Sequence, residues 1–280
     1  MTRIAAAMKR SSLWLAVFAV AMGCSTRSAI DRLSGDWARA VVAGAPFQHL
    51  AIYDPAIAAS ATLHVYLEGD GRPWLDGGTT VAADPTPRDA LALRLMQRDG
   101  SPSLYLGRPC HFIADDPRCA PRYWTSERYA QVVVDSLYAA LNRLVALDAY
   151  REVVLIGYSG GGVIAVLLAE RMRRPVQVVT LAANLDTDAW TRHHGYLPLT
   201  GSRNPARDYR PAAEVRQHHY AGALDTVVPA TVTAAFADRY GYPMTLLAPY
   251  DHRCCWERDW PKLLSSSLRD PRTPPLPVPP

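Results

Sequence analysis

Apolar and polar positions along the chain predict strands and helices that follow one another in turn. Segments 61–69 and 103–107 have the β-branched and aromatic density of strands. A helix is predicted after Pro87, and a second, strongly amphipathic one over 127–147, where apolar residues recur at helical spacing. Three further strands are predicted within the segments 175–186, 215–225 and 242–252.

The stretch 153–172 begins with an apolar run, continues with a short glycine-rich segment and ends with apolar residues at helical spacing. We interpret it as a strand over Val153–Ile156, a tight turn and a helix over Val163–Met172. Strands that alternate with helices at this spacing favour βαβ units and a mostly parallel sheet. The segment 25–60 is predicted to form a first helix or edge strands, and the Pro- and Cys-rich segment 108–124 an irregular loop.

The turn itself is Gly157-Tyr158-Ser159-Gly160-Gly161, which fits the pattern G-x-S-x-G. A serine in such a turn takes a strained backbone conformation and projects its hydroxyl above the sheet, while the glycines leave room for the adjacent strand and helix. The alternative is a plain connecting turn. The position between a predicted strand and a predicted helix favours Ser159 as a nucleophile.

A nucleophilic serine needs a base, and the base needs an acid that orients it. Asp225 comes just past one predicted strand, and His252 just past the last one. Because open parallel sheets build their sites at the carboxyl ends of strands, we expect both side chains at the same edge as Ser159. The chain order Ser159, Asp225, His252 is also the order that serine triads follow on sheets of this type.

Other acids and histidines are weaker candidates. Asp186 follows a strand earlier than the usual acid does, and Asp251 adjoins His252, where sequence neighbours rarely point the right way for a bond between acid and base. Four further histidines are assigned structural or solvated roles, namely His193, His194, His218 and His219. The last two fall inside a predicted strand, so one should face the core and the other a helix layer.

A tetrahedral intermediate needs backbone N–H donors around its oxyanion. Gly160, at the predicted start of a helix, should supply one donor, and the segment 67–71 ("LEGDG") should supply the other. By position the second donor is the N–H of Asp70, with Gly71 as the next choice. If Asp70 lines the site, its carboxylate must point away from the oxyanion. The alternative for this segment is a solvated acidic turn.

Charge and composition narrow the class of protein. The formal net charge is +4, but Arg3, Lys9 and Arg10 precede residue 24 without any acid, so the rest carries 27 − 26 = +1. Arginines scattered among acids do not form a phosphate-tracking surface, and no nucleic-acid partner is expected. The turn is not a dinucleotide-binding pattern, and the cysteines lack CxxC spacing, so neither a cofactor nor a metal is expected.

The N-terminus has the pattern of an export signal. A basic start is followed by the apolar run 13–22 and then by Gly23-Cys24, which predicts a signal peptide over 1–23. Gly23-Cys24 resembles the lipobox of bacterial lipoproteins. That resemblance implies a lipid on Cys24, attachment to the membrane and a place in the cell envelope facing the periplasm. Ordinary cleavage after the segment 19–21 is the alternative.

We expect one domain over 24–270, followed by an extended, proline-dense tail over 271–280. Five cysteines are an odd number for an exported protein. With Cys24 assigned to lipid, the other cysteines can pair in three ways. A bridge between the neighbours Cys254 and Cys255 would be strained, so the spacing favours crosslinks from Cys110 or Cys119 to that pair, without choosing between them.

Together these residues resemble the α/β-hydrolase superfamily over nearly the whole mature chain. Several segments are also similar to a group of exported bacterial α/β-hydrolases, namely "YLEGDGRPW", "DPTPRDALAL", "GRPCHF", "CAPRYWT", "IGYSGGG", "LAANLDTDAW" and "DHRCCW". The resemblance implies an α/β-hydrolase fold, with a mostly parallel central sheet and helices on both faces, and a serine hydrolase. It also implies that the cysteines other than Cys24 belong to the rim of the site.

The leading functional hypothesis is a serine hydrolase that cleaves a small-molecule carboxylic ester through an acyl-enzyme. One alternative is a peptidase or amidase that uses the same triad. Another is a non-catalytic envelope lipoprotein on this fold. Tyr158, Gly71 and Trp124 are candidates for lining the substrate site, with aromatic core packing as the alternative for Trp124.

Overall fold

The computed structural model describes residues 30, 33–113, 116–212 and 214–269. The predicted signal peptide 1–23, the lipidation of Cys24 and the tail 271–280 lie outside the described residues, so these stay predictions. The strands are β1 Ala38–Ala43, β2 Gln48–Tyr53, β3 Thr62–Leu67, β4 Trp74–Leu75, β5 Thr80–Val81, β6 Ser103–Leu106, β7 Glu152–Tyr158, β8 Val176–Leu181, β9 Val215–Gly222 and β10 Met244–Leu247. The α-helices are α1 Leu91–Gln97, α2 Gln131–Leu144, α3 Gly160–Ala169, α4 Thr187–His194, α5 Pro205–Asp208, α6 Ala230–Tyr240 and α7 Trp256–Leu268.

Eight of these strands form one twisted sheet in the order β1-β2-β6-β3-β7-β8-β9-β10. The pairs from β6 to β10 are parallel, whereas β1–β2 and β2–β6 are antiparallel. Strands β4 and β5 form a separate two-stranded hairpin. The carboxyl ends of β3, β7, β8, β9 and β10 therefore lie along one edge of the sheet, which we call the carboxyl edge.

Apolar layers cover both faces of the sheet. Buried residues of α2 and α3, with Phe236 of α6, pack on one face, and those of α1 and α7 pack on the other. Helix α3 is buried at every position, as expected for a helix enclosed between a sheet and an outer helix. The predicted mostly parallel sheet with helices on both faces is confirmed.

Several element boundaries differ from the predictions. The glycines after Ser159 belong to the first turn of α3, which therefore begins at Gly160 instead of Val163. The predicted helix over 127–147 is shorter and begins at Gln131. The segment 25–60 supplies the antiparallel strands β1 and β2, of which β1 lies at the edge of the sheet and β2 lies between β1 and β6.

Helix α7 was not predicted, and it has Pro261 in its interior. Proline removes a backbone donor and clashes with the preceding turn, so local preference argues against a helix here. However, Trp256 and Trp260 are completely buried against the sheet, and Leu264 is nearly so. Tertiary packing of this apolar face outweighs the local cost of the proline.

Candidate active site

Ser159 lies between the end of β7 and the first residue of α3, with φ 51° and ψ −124°. A positive φ is uncommon for a residue with a side chain, and holding it costs on the order of 1–3 kcal/mol. Glycines make the turn feasible: a Cβ on Gly157 would lie 2.3 Å from the Gly161 oxygen, and one on Gly161 would lie 2.2 Å from the Leu67 oxygen. The turn is therefore a strained elbow between strand and helix, as its pattern predicts.

Asp225 and His252 meet at the carboxyl edge, beyond β9 and β10. Nδ1 of His252 lies 2.9 Å from Oδ2 of Asp225. The other carboxylate oxygen, Oδ1, accepts the backbone N–H groups of Val227 and Val228, each at 2.8 Å. The Asp225 side chain is fully buried, while 14% of the His252 side chain is exposed. This arrangement fixes the ring and leaves its Nε2 for other partners.

The backbone of His252 is fixed as well. Its carbonyl oxygen accepts the hydroxyl of Tyr158 at 3.0 Å and Nε1 of Trp256 at 3.1 Å. The rings of Tyr158 and His252 have centroids 5.2 Å apart. Burial raises the pKa of Tyr158 above its ordinary range, so the hydroxyl stays a donor. Because Tyr158 directly precedes Ser159, the histidine lies against the elbow.

The loop after β3 comes close to the serine. A Cβ on Gly69 would lie 3.3 Å from the Cβ of Ser159, so this loop lies against the elbow. Gly71 has φ 69°, and a Cβ there would lie 2.0 Å from the Pro85 oxygen, which accepts the N–H of Arg72 at 2.8 Å. The backbone of this loop is therefore held in a turn that glycine accommodates.

The carboxylate of Asp70 accepts hydrogen bonds from two arginines and one tyrosine. Its carboxylate accepts Nη1 of Arg128 at 2.9 Å and the hydroxyl of Tyr129 at 2.7 Å, and it also accepts Nη1 of Arg108. Burial raises the pKa of the Asp70 carboxyl, but the charges of Arg128 and Arg108 outweigh that effect and hold the pKa well below its usual range.

Glu68 is buried, with 1% of the residue exposed. Its carboxylate accepts the backbone N–H groups of Gly69 and of Ala92 in the first turn of α1, each at 3.1 Å. Burial raises its pKa to about 7, although these two hydrogen bonds oppose the rise. With Asp70 paired and Glu68 buried, the alternative of a solvated acidic turn is wrong.

The rival acids have other partners. Asp186 caps α4, where it accepts the N–H of Ala189 at 3.0 Å. Asp251 accepts the N–H groups of Arg253 and Cys254 in its own turn. Of the three predicted acids, Asp225 is therefore the one that bonds the His252 ring.

The other histidines have partners away from His252. His218 lies 3.0 Å from the hydroxyl of Thr245, and His219 lies 2.8 Å from that of Thr180, both inside the sheet layers. His194 lies on α4 and bonds the Val227 oxygen at 2.8 Å, and His193 lies exposed beside it.

Trp124 is buried, and its Nε1 donates to the Ala82 oxygen at 3.0 Å. It packs within the core on the α2 side of the sheet. Its role in lining a substrate site stays a prediction, as do those of Tyr158 and Gly71.

The predicted cysteine crosslinks are wrong. Cys110 bonds Cys119, with Cα atoms 5.5 Å apart, and Cys254 bonds its neighbour Cys255. The loop that contains Cys110 and Cys119 closes on itself, which spacing along the chain does not reveal. The Cys254–Cys255 pair begins two residues beyond His252, next to the carboxyl edge.

Sequence reasoning missed Arg108, Arg128 and Tyr129. Arg108 follows β6 at the end of a strand, which is a signal that strand-end placement could have used. Arg128 and Tyr129 fall within the predicted helix 127–147, where polar residues are expected on the solvent-facing surface. The helix begins after these two residues, at Gln131, and both side chains contact Asp70 instead.

Within the described ranges, no helix is long and apolar enough to cross a membrane. The same part of the chain contains no group of three or more His, Cys, Asp or Glu side chains placed to hold a metal ion.

Comparison with protein-family models and with curated protein sequences gives no match. Solved structures do match. An esterase from Pyrococcus furiosus is 12% identical, with a TM-score of 0.59 over 86% of this chain and 92% of that one. An α/β serine hydrolase without a lid, from Xanthomonas campestris, is 12% identical, with a TM-score of 0.53 over 87% and 98%.

A third match is an acylaminoacyl peptidase from Pyrococcus horikoshii, 12% identical, with a TM-score of 0.53 over 81% of this chain and 39% of that one. The likeness to these structures extends over more than four-fifths of this chain, and the protein has the α/β-hydrolase fold. At this identity the comparison concerns the fold, and its neighbours include both an esterase and a peptidase.

Proposed function

We propose that the protein is a serine hydrolase that cleaves carboxylic esters, with Ser159 as nucleophile, His252 as general base and Asp225 as the acid that orients it. The observation that carries the proposal is the 2.9 Å bond between Nδ1 of His252 and Asp225, at the same sheet edge as the strained Ser159 elbow. This bond leaves Nε2 of His252 to take a proton.

In the acylation step, Oγ of Ser159 attacks the ester carbonyl carbon and gives its proton to Nε2 of His252. The resulting oxyanion is held by the backbone N–H groups of Gly160 and Asp70. The intermediate collapses, the C–O bond to the alcohol breaks, and the alcohol leaves with the proton from His252.

In deacylation, water attacks the acyl carbon while His252 takes one of its protons. The second intermediate releases the carboxylic acid, and Ser159 recovers its proton from His252. Asp225 holds Nδ1 of His252 and so keeps the ring in the tautomer that accepts at Nε2.

A fluorophosphonate probe tests the nucleophile, because it reacts with an activated serine regardless of the natural substrate. The intact protein should gain the mass of one probe, and Ser159→Ala should gain none. Ser60→Ala is a matched control that should still be labelled, because the Ser60 hydroxyl donates to the Thr62 oxygen at 2.6 Å and lies just before β3, at the opposite end of that strand from the carboxyl edge. A folded wild-type protein that stays unlabelled contradicts the proposal.

The second candidate is a peptidase or amidase, which the fold of the Pyrococcus horikoshii acylaminoacyl peptidase favours. The same residues attack both bond types, so substrates decide. p-Nitrophenyl butyrate and an acylaminoacyl p-nitroanilide, compared at equal concentration, separate the two. Faster release from the anilide than from the ester would favour the peptidase.

A further inference from the structure

Four side chains hold the loop after β3, and we call them the loop clamp: Asp70, Arg108, Arg128 and Tyr129. Asp70 accepts from all three of the others. The two guanidinium groups are almost completely buried, with 2% of the Arg108 side chain and 6% of the Arg128 side chain exposed. Asp70 itself exposes 15% of its side chain.

The clamp is tied into its surroundings from both sides. Arg108 also donates to the Arg128 oxygen at 2.8 Å, and Arg128 donates through Nε to the Thr125 oxygen at 2.7 Å. The Tyr129 hydroxyl accepts from Asn184, which follows β8, at 3.3 Å. Segments that are far apart in the sequence therefore converge on one carboxylate.

The clamp lies directly beside the elbow. A Cβ on Gly160 would lie 2.1 Å from Oδ1 of Asp70 and 2.6 Å from the Tyr129 hydroxyl. On the other side of the same loop, Gly69 lies against Ser159. The Asp70 carboxylate thus packs on the first residue of α3, while the backbone of its loop packs on the serine.

The charges in the clamp do not cancel. Two guanidinium groups face one carboxylate, so the four side chains together carry a net charge of +1, and the buried Glu68 carboxyl lies close enough to interact with Arg108. Burying ionised groups is costly, and apolar residues of similar volume would pack at least as well. Packing alone therefore does not account for this group, whereas the stabilisation of a developing negative charge does.

We propose that Asp70, Arg108, Arg128 and Tyr129 are positioning residues for the oxyanion of the ester intermediate. The Asp70 carboxylate anchors the loop so that its own backbone N–H stays aimed at the oxyanion. The two paired guanidinium groups offset the negative charge of the carboxylate, so that it does not oppose the charge that its N–H binds. This inference rests on the proposed serine hydrolase.

The test compares Asp70→Asn and Tyr129→Phe with wild type, using p-nitrophenyl butyrate as substrate. Because the oxyanion exists only past the ground state, kcat should fall while KM changes by less than about twofold. We expect a loss in kcat of about 10- to 100-fold for Asp70→Asn, as for an atom misplaced near the reaction centre, and a smaller loss for Tyr129→Phe.

Binding of phenylboronic acid distinguishes a positioning role of the clamp from a purely structural role, which would leave the affinity for this compound unchanged. Its tetrahedral adduct with Ser159 resembles the intermediate, so its affinity should fall by the same factor as kcat/KM. Glu152→Gln is the matched control. It also removes a carboxylate paired with an arginine, Arg216, but at the other end of β7, and it should leave kcat unchanged.

The outcomes separate the two proposals. A wild-type protein that fluorophosphonate does not label overturns the proposed function. If wild type is labelled and both variants keep kcat within about twofold, or lose only affinity for substrate, the clamp has no positioning role. Should Asp70→Asn fail to fold, Tyr129→Phe still decides, because it removes only the hydrogen bonds of the hydroxyl to Asp70 and Asn184 and leaves the charges in place.

Discussion

Replacing Glu68 with glutamine should change how the stability of the protein depends on pH. The buried Glu68 carboxyl has its pKa raised from 4.5 to about 7 in the folded state. Between these two values the unfolded chain releases the proton while the folded protein keeps it. The folded state then binds more protons than the unfolded state, so stability falls as pH rises through this window.

The size of the effect follows from the pKa difference. The difference between 4.5 and about 7, at about 1.36 kcal/mol per pKa unit, gives a full loss of about 3 kcal/mol above pH 7. Most of this loss, about 2–3 kcal/mol, develops between about pH 5 and about pH 8. Glutamine does not titrate, so the variant lacks this loss. It also has one acceptor oxygen for the two N–H groups of Gly69 and Ala92, which costs about 1–2 kcal/mol at every pH.

The two effects have opposite signs and different pH dependence. At about pH 5 we expect Glu68→Gln to be less stable than wild type, and at about pH 8 we expect it to be more stable. Urea unfolding followed by tryptophan fluorescence measures both, provided that the slope against urea is the same in the two proteins. A stability difference that stays constant from pH 5 to pH 8 would refute the reasoning, because it would mean that Glu68 titrates alike in both states.

Two further predictions concern contacts around the site. Replacing both Cys110 and Cys119 with serine should lower the free energy of unfolding by about 2.7 kcal/mol, because the unfolded chain is then no longer restrained by a closed loop of about 10 residues. A urea midpoint equal to that of the wild type under non-reducing conditions would contradict this. Tyr158→Phe removes the 3.0 Å hydrogen bond to the His252 carbonyl oxygen, although Trp256 still donates to that oxygen. Labelling by fluorophosphonate should therefore slow several-fold, and the free energy of unfolding should fall by about 1 kcal/mol. Labelling at the wild-type rate would show that the hydroxyl does not help to hold the histidine.

The parts of the site that could be predicted are those with a local signal. The Ser159 turn is encoded in five consecutive residues, and its flanking strand and helix are visible as apolar runs. Asp225 and His252 could be placed because parallel strands bring their carboxyl ends to one edge. The bond between them depends in addition on the loops that follow β9 and β10, in which the two residues lie.

The rest depends on contacts between residues far apart in the sequence. Arg108 and Arg128 have no pattern that marks them as partners of Asp70, since their pairing arises from how two loops fold over the sheet. The favoured cysteine pairing was wrong for another reason: both disulfides join cysteines close in the sequence, 9 residues and 1 residue apart, whereas the strain expected of a neighbouring pair had favoured longer crosslinks. Helix α7 was missed because local propensity at Pro261 argues against it, and the compensating burial of two tryptophans is visible only in three dimensions.

The order of the strands has a consequence for how the protein acquires its site. β3 pairs with β7, which lies about ninety residues further along the chain, and His252 comes from the segment after the last strand. Such non-local parallel pairing is slow, because each contact must close a long loop before it is stabilised. During refolding, helical content should therefore return first. The step that brings the segment of His252 to the Ser159 turn should be among the last on the folding pathway.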